Sequence, residues 1–231
     1  MNCPKCNSNN IRKNGHRRGK QNYQCKTCGR QYKHEFHSEL GYSKKVKENC
    51  LTMYLNGNGF RAIERITKVN HNTVIRWVRQ TENQLPDSSN DHQIPQVGKL
   101  DELQTFIGKK NKIWIWTALN KDYSEILEYV IGDRSAKIFE ELWEKIKDWN
   151  CYFWITDGYK VYPKFIPDGD QIISKTSMTR IEGENSRLRH YLARLHRKTF
   201  CYSKSKEMLF LSIKLLIYYL KEKNLSTIIR G

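Results

Sequence analysis

The chain has 231 residues and a formal net charge of +17 at pH 7, a basic balance that predicts a polyanionic partner such as nucleic acid. Its sequence contains no apolar stretch near the roughly 20 residues that a membrane span needs, and its N-terminus lacks a signal-peptide pattern. We therefore expect a cytoplasmic, nucleoid-associated protein without a membrane partner, whose cysteines are metal ligands or buried thiols rather than disulfides.

Two Cys-x-x-Cys pairs stand near the N-terminus. Their spacing is typical of a structural zinc site with four thiolate ligands: Cys3, Cys6, Cys25 and Cys28. We predict a small zinc ribbon over residues 1–38. The alternative is four ordinary thiols, and His34 or His37 could also replace a cysteine as ligand. The remaining cysteines are interpreted as small core residues: Cys50, Cys151 and Cys201.

Residues 39–82 have the pattern of an all-α helix-turn-helix domain. Apolar residues at helical spacing predict one helix over 43–55 and two shorter helices, 60–66 and 71–80, that meet through a turn. The last helix is expected to expose side chains suited to base edges and phosphates: Asn72, Thr73, Arg76, Arg79 and Gln80. Trp77 is either a core residue or a DNA-backbone contact. A helical hairpin with solvated charges is the structural alternative. Residues 83–96 are interpreted as a polar linker.

Strand patterns begin after the linker. We predict strands over 98–107, 112–119 and 124–131, an amphipathic helix over 135–149, and further strands over 151–156 and 171–174. Three antiparallel strands, a crossover helix and a strand that returns beside the first predict a ribonuclease-H-like mixed α/β sheet. This domain would span 97–231 and include C-terminal helices, of which the last, 208–220, packs on the sheet or on a second subunit.

Three acidic residues stand out in this basic chain. Asp101 lies in the first strand, Asp157 directly follows the fourth, and Glu182 lies near the start of a basic helical segment. The first and fourth strands are expected to be neighbours, which would bring the two aspartates together. Because Mg²⁺ prefers oxygen ligands and paired ions can act on a phosphodiester, the pattern indicates metal-dependent chemistry on DNA.

Other acids compete for these roles or have structural explanations. Glu102 would point to the strand face opposite Asp101, so only one of the two can enter a site. Glu182 could instead close a capping box with Thr179, and Glu184 lies about 200° around the helix from Glu182. The remaining candidates are interpreted as turn residues: Asp133, Asp168 and Asp170.

Three short motifs in this order resemble the insertion-sequence-one type of bacterial DDE transposases. They are Leu100-Asp101-Glu102, Trp154-Ile-Thr-Asp-Gly-Tyr159 and Arg180-Ile-Glu-Gly-Glu-Asn185, and residues 192–195 and 197–205 resemble the family's C-terminal segment. The resemblance covers nearly the whole chain. It implies a catalytic triad of Asp101, Asp157 and Glu182 that binds Mg²⁺ or Mn²⁺, and Arg189 as a basic residue seven positions after the glutamate.

The resemblance further implies a DNA transposase that acts on double-stranded DNA as a homo-oligomer. It would bind terminal inverted repeats, nick their 3′ ends and join these ends to target DNA. Basic residues of the C-terminal part would bind phosphates: Arg187, Arg194, Arg197 and Lys198. Two alternatives share the sequence features. One is a non-catalytic DNA-binding regulator, such as a domesticated transposase, and the other is a metal-dependent nuclease without strand transfer.

Overall fold

A computed structural model describes residues 2–17, 19–33, 41–82, 84–85, 94–108, 111–121, 125–174, 183, 185–223, 225–226 and 229, with only the backbone of Glu82. The chain divides into two compact units, Met1–Ser43 and Lys44–Gly231. Among the described residues, no helix combines the length and the apolar composition that crossing a bilayer requires.

The N-terminal unit contains a small antiparallel sheet. Its strands are β1 (Ile11–Arg17), β2 (Lys20–Cys25) and β3 (Gln31–Lys33), in the order β1-β2-β3. Among the described residues of this unit, only Cys3, Cys25 and Tyr32 form its buried hydrophobic cluster. Because this much apolar burial cannot offset the conformational entropy of ordering the segment, a further source of stability is needed. His34 and His37 lie outside the described residues.

The second unit is built on a mixed sheet. The five strands of its described part are β4 (Val97–Ile107), β5 (Asn111–Asn120), β6 (Ile126–Gly132), β7 (Phe153–Thr156) and β8 (Gln171–Ile173). The strand order is β6-β5-β4-β7-β8, with β4, β5 and β6 antiparallel and β4, β7 and β8 parallel. The expected order and directions are therefore confirmed. The sequence also predicts hairpin turns at 109–111 and 120–122, and of these residues 109, 110 and 122 lie outside the described residues.

One face of the sheet is covered by α4 (Ala136–Ile146), which continues as a 3-10 helix, Lys147–Trp149. Phe139, Leu142 and Ile146 of α4 are fully buried against Trp116 and other residues of the sheet. Each such side chain contributes about 1.5–3 kcal/mol on burial.

The Ser135 hydroxyl caps the helix by accepting from Ile138 N, and Asp133 Oδ1 accepts from Ser135 N at 3.0 Å. The turn role expected for Asp133 is confirmed. Asp168 and Asp170 likewise lie in a turn, closed by Asp170 N and Pro167 O.

Five helices of the described chain share one core with the opposite face of the sheet. They are α1 (Lys44–Leu55), α2 (Phe60–Thr67), α3 (His71–Glu82), α5 (helical residues 185–191) and α6 (Lys206–Glu222). Leu51 and Val74 of the N-terminal helices, Leu103 and Ile115 of the sheet, and Leu209 of α6 are all buried in this core. Trp77 is buried with them, so its core interpretation is confirmed. The predicted boundaries at residues 82 and 97 stay predictions.

The turn between α2 and α3 is held by side chains. Lys68 adopts a left-handed φ of 62° at the end of α2. Asn70 Oδ1 accepts from Asn72 N at 2.9 Å, which satisfies a free amide at the start of α3. Glu64 contacts both Asn70 and His71, at 3.1 and 2.8 Å. These contacts fix the angle between the two helices and confirm the helix-turn-helix arrangement expected from the sequence.

Candidate functional site

Asp101 and Asp157 are brought together by the parallel pairing of β4 and β7. Gly98 pairs with Trp154 and Lys99 with Ile155, so the same register two residues further brings Asp101 beside Asp157. Gly158, with a left-handed φ of 85°, turns the chain away immediately afterwards. Asp157 Oδ1 accepts from Tyr159 N at 2.9 Å within this turn. The two carboxylates therefore lie side by side on neighbouring central strands of the sheet, as the sequence predicted.

Asp101 is in an unusual electrostatic environment. Burial raises its pKa to about 7, and the like charges of Glu102 and Asp157 act in the same direction. The backbone N–H of Glu102 and the side chain of Asn185 oppose this rise. The Asn185 amide donates to Asp101 Oδ2 from helix α5. A buried carboxylate beside a second carboxylate is suited to a bound cation, which would stabilise its negative charge.

Glu102 lies on the other face of β4. Its side chain is only 3% exposed and accepts from Arg134 Nε at 2.9 Å and from the Tyr162 hydroxyl at 2.6 Å. Arg134 in turn stacks over Tyr159, with its Cζ 3.9 Å from the ring centroid. Glu102 is thus saturated by structural partners and is turned away from Asp101. Its network also supports the turn that follows Asp157.

The predicted catalytic set also includes Glu182 and Arg189, and of these two the structure describes only Arg189. Glu182 and its rival Glu184 lie outside the described side chains, as does the proposed cap at Thr179. Arg189 is half-buried on α5, and its Nε atom is buried with no hydrogen-bond partner among the described residues. Burial and the charge of Arg197 lower the pKa of Arg189, whereas Asp101 raises it. Arg189 is therefore within electrostatic reach of Asp101.

The cysteines of the N-terminal unit have the geometry of a metal centre. The Sγ atoms of Cys3, Cys6, Cys25 and Cys28 all lie within 4.8 Å of one another. The Cys3–Cys28 and Cys6–Cys25 pairs are each 3.6 Å apart. A tetrahedral site with Zn–S bonds of about 2.3 Å has S–S edges of about 3.8 Å, so the four residues fit zinc. Backbone N–H groups of Cys28 and Thr27 help to lower the pKa of Cys25 to about 6, which favours the ligating thiolate.

The other cysteines differ in exposure. Cys50 is buried and Cys151 is half-buried, but Cys201 is exposed. The interpretation of Cys201 as a core residue is therefore wrong. It lies on a loop that carries polar and basic residues to the surface, which its sequence spacing did not reveal.

Exposed basic and polar side chains line α3 and the segment after α5. On α3, Asn72, Arg76 and Arg79 are exposed and Thr73 is half-buried, while Val74 and Val78 face the core. Arg197 and Lys198 are exposed, and Arg187 is half-buried. These positions are consistent with a surface for a polyanion.

Arg194 departs from the predicted phosphate-binding set. It is only 6% exposed, and its Nη1 donates to Ser203 Oγ at 2.9 Å and Met208 O at 3.3 Å. Its guanidinium also lies over the rings of Tyr54 and Phe60, 5.3 Å from each centroid. Because these groups already occupy the guanidinium, the expectation that Arg194 binds phosphate is wrong. It instead ties α1 and α2 to the segment before α6.

Sequence reasoning missed two residues that support the site. Asn185 was present in the third motif, but no role was assigned to it. Arg134 lies outside all three motifs, and only the structure shows its contacts with Glu102 and Tyr159. The motif position was a usable signal for Asn185. No comparable local signal existed for Arg134.

The described chain combines paired carboxylates on a mixed sheet, helices with exposed basic side chains and a cluster of four cysteines. Residues 96–225, more than half of the chain, match the IS1 transposase family. The chain belongs to this family, and the predicted resemblance is confirmed.

Individual relatives agree with this assignment. The chain is 32% identical over 111 residues to the insertion element IS1 protein InsB of Shigella flexneri. The matched segment covers 48% of this chain and 85% of that protein. Identity to the iso-IS1n protein InsB of Shigella dysenteriae is 32% over 113 residues, covering 48% and 86%. The IS1 9 protein InsB of Escherichia coli K12 is 31% identical over 111 residues, covering 48% and 66%. The family supports a transposase function in DNA transposition.

Proposed function

We propose that this chain is a DDE-type DNA transposase with a ribonuclease-H-like catalytic domain. It would nick the 3′ ends of its insertion element and join them to target DNA at one site. The observation that carries the proposal is the parallel pairing of β4 with β7, which juxtaposes Asp101 and Asp157 inside the family-matched segment. Two carboxylates from neighbouring strands can bridge divalent cations over a phosphodiester.

Asp101 and Asp157 would hold two Mg²⁺ or Mn²⁺ ions. When bound, such ions polarise the scissile phosphate, activate the attacking oxygen and stabilise the departing one. The chain's own contribution is to hold the carboxylates still. Tyr159 N fixes one oxygen of Asp157, and Asn185 fixes one oxygen of Asp101. Carboxylate oxygens of Asp101 and Asp157 that these groups do not engage would bind the cations.

Glu182 is proposed as the third acidic ligand. It stands three positions before Asn185 in the sequence, and residues at this spacing on a helix share a face. Because Asn185 contacts Asp101, a helix that continues to Glu182 would direct its carboxylate toward the same site. Arg189, with a buried unpartnered Nε near Asp101, would bind a phosphate oxygen of the reacting strand.

Two other parts of the chain would recognise DNA. The four cysteines would bind a structural Zn²⁺ and so hold the N-terminal ribbon folded. The exposed face of α3 would read the terminal inverted repeats through Asn72, Thr73, Arg76 and Arg79, while Arg187, Arg197 and Lys198 bind phosphates. Because an element has two ends, we propose that the protein acts as a homo-oligomer on double-stranded DNA.

The test is a cleavage and joining assay. The purified protein is incubated with Mg²⁺, a labelled duplex containing the inverted repeat that flanks its coding sequence, and a target plasmid. A nick at the 3′ end followed by a joined product supports the proposal. Binding without cleavage would indicate a DNA-binding regulator instead. Cleavage that never gives a joined product would indicate a nuclease without strand transfer.

A further inference from the structure

A fully exposed phenylalanine lies in a basic loop that follows α5, the helix whose Asn185 contacts Asp101. Phe200 is more exposed than any other large hydrophobic side chain in the described part of the chain. It lies in residues 196–205, which we call the Phe200 loop. Single exposed hydrophobic side chains are common on protein surfaces, and Phe200 differs from them in the loop that holds it and in the charge around it.

The Phe200 loop is ordered by specific contacts. The Tyr202 hydroxyl donates to Arg197 O at 2.8 Å, which closes the loop beneath Phe200. Tyr202 also packs edge-on against Phe106 of β4, with ring centroids 5.2 Å apart. Cys201 N donates to Thr199 Oγ1 at 3.0 Å. The ring is therefore held outward by a built loop, so little additional ordering is needed when a ligand binds it.

The base of this loop connects the two regions proposed to contact DNA. Ser203 forms a bridge with Ile107 on β4, the strand that carries Asp101, and its carbonyl accepts from Gly108 N at 2.8 Å. On the other side, Cys201 lies directly against Gly59, the N-cap of α2. A Cβ atom added at Gly59 would lie 2.9 Å from Cys201 Sγ. Phe200 thus lies on a loop that contacts both β4 and the start of α2.

Charge indicates what the ring contacts. The Phe200 loop contains Arg197, Lys198 and Lys204 and no acidic residue, and these three basic residues are exposed. The same basic loop of a second copy would be repelled here, because both loops carry positive charge. DNA is attracted to the same surface, and its bases offer flat faces on which aromatic side chains stack.

We propose that Phe200 inserts into the element-end duplex and stacks on a base next to the scissile phosphate. The proposal rests on the transposase function proposed above and adds a DNA-distorting contact to it. Apolar wedges of this kind partly unstack a base step and bend the duplex. The bend would bring the phosphate toward Asp101 and Asp157 while α3 holds the adjacent sequence.

The experiment uses the full-length protein and end duplexes that carry 2-aminopurine at successive positions around the nick. The parent should raise fluorescence at one base beside the nick. Phe200→Ala should abolish this rise and slow nicking on the order of ten-fold, whereas Phe200→Trp should retain both. A mismatch opposite that base should restore nicking by Phe200→Ala. Tyr152→Ala is the matched control, because this exposed aromatic precedes β7, at the opposite end from Asp157, and should behave as the parent.

The outcomes separate the two proposals. If Phe200→Ala retains the fluorescence rise and the nicking rate, the wedge is overturned while the transposase function stands. If the substitution changes only sedimentation behaviour, the ring contacts a second copy of the chain, and the wedge is likewise overturned. A parent protein that neither binds nor nicks end DNA would overturn the transposase function together with this inference.

Discussion

Asn185 donates a hydrogen bond to Asp101 Oδ2 across 84 residues of sequence. The contact joins helix α5 to the central strand β4. It also stabilises the ionised form of a carboxylate whose pKa burial raises to about 7. Asn185 is therefore a positioning residue, since it acts on the reaction through Asp101.

Replacing Asn185 with Ala should shift the pH dependence of nicking. The lost hydrogen bond had lowered the pKa of Asp101, so this pKa should rise further and the carboxylate should be protonated at higher pH. The acid limb of the nicking rate should move to higher pH, and more Mg²⁺ should be needed for half-maximal rate. Ser186→Ala, at the exposed neighbouring position, should leave both unchanged. Identical pH profiles for Asn185→Ala and the parent would contradict the assigned role.

Local patterns and tertiary contacts account for what the sequence could and could not predict. The strands and α4 were predictable because period-two and helical apolar patterns depend on neighbours in the chain. The burial of Arg194 was not, because it depends on the rings of Tyr54 and Phe60, which are far away in sequence. Likewise, the apolar faces of α1–α3 predicted that these helices pack against other elements. The sequence did not indicate that these elements are α6 and the sheet.

Arg194 is expected to act on stability, not on DNA binding. Arg194→Ala removes two hydrogen bonds and two ring contacts in a buried position. The free energy of unfolding should fall by about 2–4 kcal/mol, measured by urea denaturation. Arg197→Ala is the matched comparison, since this exposed residue should change stability by less than about 0.5 kcal/mol but weaken DNA binding. A reversal of the two effects would restore Arg194 to the phosphate-binding set.

Removing zinc should unfold the N-terminal ribbon without unfolding the larger unit. Cys3, Cys25 and Tyr32 alone form the buried cluster of the ribbon's described residues, so metal–thiolate bonds must supply most of its stability. Cys25→Ser should lower the bound zinc below one ion per chain, measured by atomic absorption, and weaken binding to end DNA. Cys201→Ser changes an exposed thiol outside the cluster and should keep its zinc. Full zinc content in Cys25→Ser would exclude this site.

Substitutions on α3 should separate sequence recognition from general DNA affinity. Arg76 and Asn72 are exposed on the face opposite the buried Val74 and Val78. If they contact base edges, replacing either with Ala should reduce discrimination between end DNA and random DNA by about 1–3 kcal/mol. Lys137→Ala, on α4 at the other face of the sheet, is the control and should not change discrimination. An equal loss on both DNAs would instead indicate that these side chains bind phosphates.

The sharpest prediction concerns charge at the proposed triad. Asp101→Asn and Asp157→Asn keep an oxygen that can accept from Asn185 and from Tyr159 N, so the local structure should persist. Both substitutions, like Glu182→Gln, remove a carboxylate charge that would hold a cation. Each should slow Mg²⁺-dependent nicking and strand transfer at least about a hundred-fold, yet bind end DNA as well as the parent or better, because a charge that repels phosphate is lost. Gel assays of cleavage, joining and binding measure all three.

Glu184→Gln provides the internal control for that series. Residues 182 and 184 lie about 200° apart on a helix, so only one of them can face Asp101. The side chain of Asn185 faces Asp101, and a residue three positions earlier shares its face more closely than the residue directly before it. Glu184→Gln should therefore remain active. If Glu184→Gln were inactive and Glu182→Gln active, Glu184 and not Glu182 would be the third acidic ligand. Full cleavage by all four variants would refute the proposed catalytic site.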